Sequence, residues 1–269
     1  MEIGRPVHNR PIGRSGKLLR RFFEDLMTDF LRKWNIHLIN LPERKDRLRA
    51  AEKEMSRIGW HIGPSGVSLF SATRFSEPAG FPSPSVRGAF HSHSECLRAG
   101  LRQSRDVMLL EDDITFAGCF HKLLPAVDEE LEKLSWDFCY LGHENTGNYE
   151  RATSRTKHVS LIPYAGHIIG LHFCLVNRRI LPRLVDHLDR IANGRRGDDD
   201  YGPMPVDGAL NTFRRLNPDV STLIADPKLG WQRPSRSDIT PGILDQLGYL
   251  RPLVSGLRVV KEKAIRWRS

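Results

Sequence analysis

The sequence has few cysteines and no long apolar run. Cys96, Cys119, Cys139 and Cys174 are far apart and include no Cys-x-x-Cys pair. This excludes a disulfide-rich fold and argues against a structural zinc site. No segment approaches the roughly 18 apolar residues that a membrane-spanning helix needs, and the N-terminus lacks the apolar stretch of a secretory signal. These absences favour a cytoplasmic protein with reduced thiols.

Positive charge is concentrated at the two ends of the chain. Lys and Arg outnumber Asp and Glu by 12 to 6 in residues 1–50 and by 9 to 3 in residues 228–269. The middle of the chain is slightly acidic, with 20 basic and 23 acidic residues. Basic ends suit an anionic partner, such as lipid headgroups, nucleic acid or another acidic surface, with solvated surface charge as the alternative.

Residues 17–34 carry apolar side chains at helical spacing, which predicts an amphipathic helix. Such a helix either packs on the domain or lies at a membrane interface. Together with the basic tail at 246–269, it motivates a location hypothesis. In this hypothesis the protein is cytoplasmic and contacts the inner face of an anionic membrane peripherally.

Strands and helices alternate through the first half of the chain. Apolar, β-rich runs at 34–41, 67–72, 107–110 and 136–142 are separated by helical patterns. This alternation predicts an α/β fold, with a Rossmann-type, mostly parallel central sheet flanked by helices.

The second half of the chain is less regular. Its pattern predicts strands at 158–166, 168–176 and 221–226, a helix at 178–191 and another helix from Val206. Residues 193–205, rich in Gly and Pro, have the composition of a mobile lid. We expect one domain, 34–245, between an extension at 1–33 and the tail.

The stretch "VMLLEDDITF", residues 107–116, places three carboxylates at the end of a hydrophobic strand. Ligands of open α/β sheets bind outside the carboxyl ends of the strands. If the extended geometry persists, Glu111 and Asp113 project together, and two such carboxylates suit Mg²⁺ or Mn²⁺. The alternative is a solvated acidic turn.

A receiver domain of a response regulator also has acids after a buried strand. That fold needs its acids near the start of the domain and a phosphorylatable Asp after a later strand. Here the run begins only at Val107, and residues 151–166, where the later Asp would lie, contain no Asp. The sequence therefore argues against a receiver domain.

Six segments, in order, resemble glycosyltransferase family 25, which includes lipooligosaccharide and collagen galactosyltransferases. The resemblance covers about residues 35–240, and it departs from the family pattern at Cys174, where a Tyr is usual, and at Leu97, where a Trp is frequent. The similar segments are "INLPERKDR" (39–47), "RGAFHSHSECLRAGL" (87–101), "VMLLEDDITF" (107–116), "GLHFCLVNRRIL" (170–181), "PVDGAL" (205–210) and "QRPSRSDI" (232–239).

This resemblance implies a GT-A-like fold and an inverting transfer from a UDP-sugar, with galactose or another hexose as the expected sugar. The acceptor would be a glycan or a lipid-linked glycan, as in lipopolysaccharide biosynthesis. A Mn²⁺ or Mg²⁺ ion would be held by Asp113 with Glu111 and would neutralise the leaving diphosphate. Asp207 is the expected catalytic base, and Asp112 is the alternative, with a role also open between metal and donor sugar.

The resemblance also implies contacts with the nucleotide and the acceptor. Asn40, Arg44 and Arg47 follow the first strand and should face the nucleotide, where an Arg fork suits phosphate or uracil oxygens. Ser92 and His93 lie near the start of a predicted helix, where backbone N–H groups favour anions. Gln232 and Asp238 would position the acceptor or close the site.

Two other classes of protein remain as alternatives. A nucleic-acid-binding protein would use the basic ends, but the sequence lacks interleaved aromatic and basic motifs and its middle is acidic, so no nucleic-acid partner is expected. A degenerate family member could act as a scaffold without catalysis. The intact acidic triplet argues against that alternative.

Overall fold

The computed structural model describes residues 30–64, 66–145 and 159–233. These ranges contain nine named strands and five named α-helices, numbered here in chain order. The strands are β1 (Asn35–Asn40), β2 (Ser68–Ser71), β3 (Val107–Glu111), β4 (Ile114–Phe116), β5 (Phe138–Asn145), β6 (Ser160–Pro163), β7 (Ile168–Val176), β8 (Thr222–Asp226) and β9 (Gly230–Gln232). The helices are α1 (Lys45–Arg57), α2 (Pro84–Gln103), α3 (Phe120–Lys133), α4 (Leu181–Ala192) and α5 (Val206–Leu216), and a short 3₁₀ turn, Arg178–Ile180, precedes α4.

Seven of the strands form one sheet in the order β2-β1-β3-β7-β5-β8-β6. Strands β2, β1, β3, β5 and β8 run in one direction, while β7 and β6 run antiparallel to their neighbours. The other two strands, β4 and β9, pair as a separate antiparallel ribbon. The α/β fold class and the mostly parallel, helix-flanked sheet predicted from the sequence are confirmed.

Both faces of the sheet are covered, which explains the unbroken apolar run before the acidic triplet. Met108 and Leu110 belong to one core, which includes buried side chains of α1 and α3. Val107 and Leu109 belong to the opposite core, with α2, α4 and α5. All four side chains are fully buried. Because strand side chains alternate, a strand with helices on both faces must be apolar at every position.

Helix α2 begins where its sequence contains both signals of a helix start. The Ser83 side chain accepts a hydrogen bond from the Val86 N–H, at 3.2 Å, and Pro84 occupies the first turn. The helix ends at Ser104, a left-handed residue with φ of 51°. The first turn of α2, which begins at Pro84, lies beside the site described below.

The flanking segments of the predicted domain division lie mostly outside the described residues. Residues 30–33 are helical, and Phe30 and Leu31 are buried in the core, so this end of the predicted amphipathic helix packs on the domain. The remainder of 1–33 and all of 246–269 are not described. Cys96, Cys139 and Cys174 are buried free thiols, and Cys119 is a half-buried one. Within the described ranges, no helix has the length and apolar character needed to cross a bilayer.

Candidate functional site

The carboxyl ends of three parallel strands, β2, β1 and β3, meet at one edge of the sheet. Ile39 lies opposite Glu111 in the β1–β3 register, so the residues that follow, Asn40 and Asp112, are neighbours. The Asn40 amide donates a 2.7 Å hydrogen bond to Asp112 Oδ2. On its other side, the Asn40 carbonyl accepts a hydrogen bond from the Ala72 N–H just beyond β2. Asn40 therefore joins the three strand ends at the point where the sequence predicts a ligand.

Arg47 reaches back from the first turns of α1 to the same edge. Its Nη1 lies 2.9 Å from Asp112 Oδ1 and 3.4 Å from Asp113 Oδ2. Burial raises the pKa of Asp112, and Arg47 and Asn40 oppose that rise. One guanidinium thus balances two buried carboxylates.

Asp113 is the most confined acid of the triplet. It lies with Asp112 in the turn between β3 and β4, so the extended geometry does not continue past Glu111. The β4–β9 ribbon brings Gln232 to it, with Nε2 3.3 Å from Asp113 Oδ2. Burial and the charges of Glu111 and Asp112 raise the pKa of Asp113 to about 7. Its Oδ1 is buried and has no hydrogen-bond partner among the described residues, which is costly unless a ligand fills the place.

Glu111 pairs with a histidine, His93. The Nε2 of His93 lies 3.3 Å from Glu111 Oε1, while its Nδ1 lies 2.8 Å from the Ala89 carbonyl. A carbonyl only accepts, so Nδ1 carries a proton, and facing Glu111 favours a second proton on Nε2. Burial would lower the pKa of His93, but Glu111 raises it above its ordinary value. In return, although burial favours a neutral Glu111, His93 and His172 lower the pKa of that carboxyl.

His172, in the segment "GLHFCLVNRRIL" (170–181), also acts on this site through Glu111, although the sequence assigns it no role. It is fully buried in β7, next to β3, and burial lowers its pKa. A Cβ on Gly142 would lie 2.6 Å from His172 Nε2, so only glycine fits there. Strand β7 is antiparallel and comes from the far half of the chain. Sequence spacing alone therefore does not place His172 beside Glu111.

A cavity of about 270 Å³ opens at these strand ends. Arg47, Ser92, His93, the acidic triplet and Gln232 all line it, so seven of the eleven predicted site residues meet there. The Ser92 hydroxyl is engaged internally, donating to the Gly88 carbonyl at 2.7 Å and accepting from the Thr73 N–H at 3.3 Å. Ser92 therefore fastens the loop after β2 to helix α2.

That loop supplies wall residues that the sequence analysis missed. Thr73, Arg74 and Phe75 line the cavity, together with the N-terminal turn of α2. Phe75 is half-buried, and the Arg87 guanidinium carbon lies 3.9 Å from its ring centroid. Ligands bind beyond the carboxyl ends of parallel strands, and this rule applies to β2 as well as to β1 and β3. The sequence of the loop after β2 could therefore have predicted these residues as part of the site.

Of the other predicted site residues, Arg44 and Asp207 do not line the cavity, and Asn40 takes part through its bond to Asp112. Arg44 pairs with Asp46 at 3.0 Å, and its backbone carbonyl accepts a hydrogen bond from the Asn40 amide at 3.3 Å. Asp207 lies in the first turn of α5, where its Oδ1 accepts a hydrogen bond from the Gly208 N–H. Asp207 is nonetheless close enough to raise the pKa of His93. Asp238 lies outside the described residues.

The donor set fits a cation only in part. Among the described residues, no group of three or more His, Cys, Asp or Glu side chains is arranged to hold a metal ion. The buried Oδ1 of Asp113 is a hard oxygen without a partner in that part of the chain, which suits Mg²⁺ or Mn²⁺. The oxygens of Asp112 are held by Asn40 and Arg47. The site thus offers one ready carboxylate oxygen and others that a ligand must release.

The Gly- and Pro-rich loop of 193–205 forms turns in this structure. Asp198 Oδ1 accepts hydrogen bonds from the N–H groups of Asp200 and Tyr201, each at 2.9 Å. The Asp200 carboxylate pairs with Arg215 on α5. These acids therefore have local structural partners, and the lid function of the loop stays a prediction.

A second groove, of about 800 Å³, runs between α5 and residues 163–167. Its basic side chains already have partners: Arg214 donates to the Tyr164 carbonyl at 2.8 Å, and Arg215 pairs with Asp200. Within the described part of the chain, no side chain lining this groove has a buried polar atom without a hydrogen-bond partner. The strand-end cavity is therefore the better candidate for ligand chemistry.

Comparisons with known proteins add little to this geometry. No protein-family model matches the chain, and no curated protein matches it. The crystal structure of A197 from STIV is similar over 55% of this chain and 66% of that chain, with 12% identity and a TM-score of 0.32. The crystal structure of a glycosyltransferase involved in the glycosylation of the major capsid of PBCV-1 is similar over 74% of this chain and 93% of that chain, with 10% identity and a TM-score of 0.44. At these scores neither likeness bears on activity, and the resemblance to family 25 remains a prediction from the motifs.

Proposed function

We propose that this protein is a glycosyltransferase that takes its sugar from a nucleoside-diphosphate sugar. The observation that carries the proposal is the convergence of Arg47 and the acidic triplet on one cavity, with a buried, unpartnered oxygen on Asp113 among the described residues. Diphosphate chemistry needs both signs of charge in one place: cationic groups for the phosphates, and carboxylates for the ion that accompanies them. The ordered motifs of the sequence supply the sugar-nucleotide context.

The walls of the cavity suit an anionic nucleotide. Arg47 and Arg74 both line it, and an Arg fork matches phosphate oxygens in a two-point contact. The N-terminal turn of α2 also faces the cavity at Pro84 and Ser85, where the helix dipole favours negative charge. Phe75 also lines the cavity, and the Arg87 guanidinium lies over its ring. UDP is the expected nucleotide, following the family resemblance.

The residues that would hold a divalent ion are Asp113 first, and Glu111 second. When bound, Mn²⁺ or Mg²⁺ would supply positive charge against the diphosphate that leaves. Asp113 Oδ1 is the oxygen best placed for this role, because it is buried and has no partner in the described chain. Glu111 pairs with His93 at 3.3 Å, and this histidine lowers the pKa of the carboxyl.

In the proposed transfer, an acceptor hydroxyl oxygen bonds to the anomeric carbon of the donor as the bond from that carbon to the diphosphate oxygen breaks. The nucleoside diphosphate leaves with the bonding electrons, and a base takes the hydroxyl proton. Asp207 is favoured as the base. Arg47 and Asn40 hold both oxygens of Asp112, whereas the Asp207 carboxylate receives a hydrogen bond from the Gly208 N–H. Attack from the side opposite the diphosphate would invert the configuration, as the resemblance implies.

The proposed acceptor and location are based on the sequence. A glycan or lipid-linked glycan acceptor agrees with the resemblance and with the basic ends of the chain. The basic tail at 246–269 and most of residues 1–33 lie outside the described residues, so contact with an anionic membrane rests on charge alone. Sedimentation with anionic vesicles at low salt tests that contact, and its absence would count against it.

The direct experiment is a screen of UDP-sugars for Mn²⁺-stimulated hydrolysis. We expect one UDP-hexose to release UDP faster than the others, because water can replace the acceptor slowly. Release that stops on chelation and resumes with Mn²⁺ supports the proposal. If no nucleoside-diphosphate sugar is turned over, while RNA or DNA binds tightly in a salt-titrated assay, the protein belongs to the nucleic-acid-binding class instead.

A further inference from the structure

Arg47 lies where a divalent cation would have to act. Its side chain is 14% exposed, and those of its two partners, Asp112 and Asp113, are 8% and 4% exposed. The Asn40 amide donates a hydrogen bond to Asp112 Oδ2, and the Gln232 amide donates one to Asp113 Oδ2. Of the four carboxylate oxygens on this pair of aspartates, Asp113 Oδ1 is therefore the one without a partner in the described chain.

We propose that Arg47 is a built-in counter-ion, which keeps Asp112 and Asp113 closed to a divalent cation until a diphosphate draws its guanidinium away. The inference rests on the proposed function and concerns the order of events at that site. Two cations close together in a poorly hydrated site repel each other strongly, so Arg47 and a metal ion compete for the same carboxylates. A diphosphate gives the guanidinium an alternative partner of equal geometric fit.

The position of Arg47 allows this exchange without refolding. It is the third residue of α1, so the helix fixes its backbone while a long, flexible side chain reaches the acids. The cavity that holds the acids is lined by the same side chain, so a phosphate in that cavity lies within its reach. Binding is then linked: diphosphate raises the affinity for the cation, and by reciprocity the cation raises the affinity for diphosphate.

Isothermal titration of the full-length chain with Mn²⁺ alone, UDP alone, and UDP in the presence of Mn²⁺ tests the inference. For the wild type, we expect weak Mn²⁺ binding that strengthens about tenfold or more when UDP is present. Arg47→Met keeps an unbranched apolar stem but removes the guanidinium and its charge. This variant should bind Mn²⁺ alone about tenfold or more tightly than the wild type, and it should lose most of the coupling to UDP.

The matched control is Arg49→Met, an exposed position on the same helix, which should leave both affinities unchanged. If Arg47→Met does not fold, as judged by thermal unfolding, Arg47→Gln replaces it. Glutamine is also uncharged but keeps a polar end, so the affinity of this variant for Mn²⁺ alone should again lie above that of the wild type. Equal or weaker Mn²⁺ binding by the folded Arg47 variant overturns the counter-ion role.

The two proposals fail in different ways. A wild-type protein that binds no UDP at any Mn²⁺ concentration contradicts the proposed function. Tighter Mn²⁺ binding by Arg47→Met would still support the counter-ion role in that case. Conversely, strong UDP binding by the wild type, with an unchanged Mn²⁺ affinity in Arg47→Met, would support the proposed function and contradict the counter-ion role of Arg47.

Discussion

Asn40 and Asp112, 72 residues apart in the chain, are joined by a 2.7 Å hydrogen bond at the ends of two parallel strands. Both residues are buried, so each would lose a partner in the interior if the other were changed. The bond ties the loop after β1 to the acidic turn after β3. It fixes the distance between the Arg47 helix and the carboxylates that Arg47 contacts.

Asn40→Ala should lower the free energy of unfolding by about 1–3 kcal/mol, because it leaves a buried carboxylate oxygen without its donor. Asn40→Asp should lower it further, because a second carboxylate then faces Asp112 at hydrogen-bond distance. Urea denaturation at neutral pH measures both changes. Equal stability of the wild type and Asn40→Asp would mean that the contact is not maintained in solution.

Gly88→Ala should disturb the cavity wall, because a Cβ on Gly88 would lie 2.5 Å from the Thr73 carbonyl oxygen. Helix α2 and the loop after β2 would have to separate, at a cost of about 1–3 kcal/mol, and UDP affinity should fall with stability. The matched control is Gly208→Ala in α5, where the nearest atom to the new Cβ would be 3.6 Å away. That change should be neutral, or stabilising by up to about 1 kcal/mol. Thermal unfolding measures the stability of both variants. An equal loss of stability in the two would contradict the close contact between Gly88 and the Thr73 carbonyl.

Asp207→Asn should lower kcat by roughly 100-fold or more if Asp207 is the base. The dissociation constant of UDP should stay near the wild-type value, because Asp207 does not line the nucleotide cavity. Asp186→Asn, an exposed acid on α4 paired with Arg190, serves as the control and should keep full activity. Steady-state kinetics with the preferred UDP-sugar provide the comparison. An unchanged kcat in Asp207→Asn would mean that another group is the base.

Acid should destabilise the fold through His37. This side chain is buried in β1, and burial lowers its pKa from 6.5 to about 4. The unfolded chain therefore binds more protons between these pH values, so stability is complete above about pH 6.5 and falls as the pH drops toward 4. From pH 7 to pH 5 the loss from this group is about 2 kcal/mol. His37→Leu should flatten the pH dependence of urea unfolding by that amount, and an unchanged slope would show that His37 is not buried in its neutral form.

Much of the fold and part of the site follow from local pattern. The four apolar residues before Glu111 have no polar alternation, and that alone predicts a strand covered on both faces. The acids at its end, and Asn40 at the end of β1, are found by the rule for parallel sheets. These inferences need only periodicity and the direction of the chain.

The remainder depends on which strand lies beside which, and local pattern does not contain that information. His172 lies near enough to Glu111 to affect its pKa because β7 inserts antiparallel between β3 and β5. Gln232 reaches Asp113 because β4 and β9, distant in sequence, form a ribbon. The sequence predicts Ser92 near a helix start, as an anion ligand, but Ser92 lies well inside α2 and its hydroxyl is engaged by Gly88 and Thr73. Contacts of this kind are decided by tertiary packing.

The measurement that tests the central claim most directly is calorimetric titration of UDP into the wild type and Asp113→Asn, with and without Mn²⁺. The exposed acid Asp219, paired with Arg183, provides the control variant Asp219→Asn. The melting temperature of Asp113→Asn should not fall, because burial beside two other acids already disfavours a charge at this position. We expect Mn²⁺-dependent UDP binding by the wild type and Asp219→Asn, and a loss of about tenfold or more in Asp113→Asn. Identical Mn²⁺-dependent binding by a folded Asp113→Asn would contradict the account.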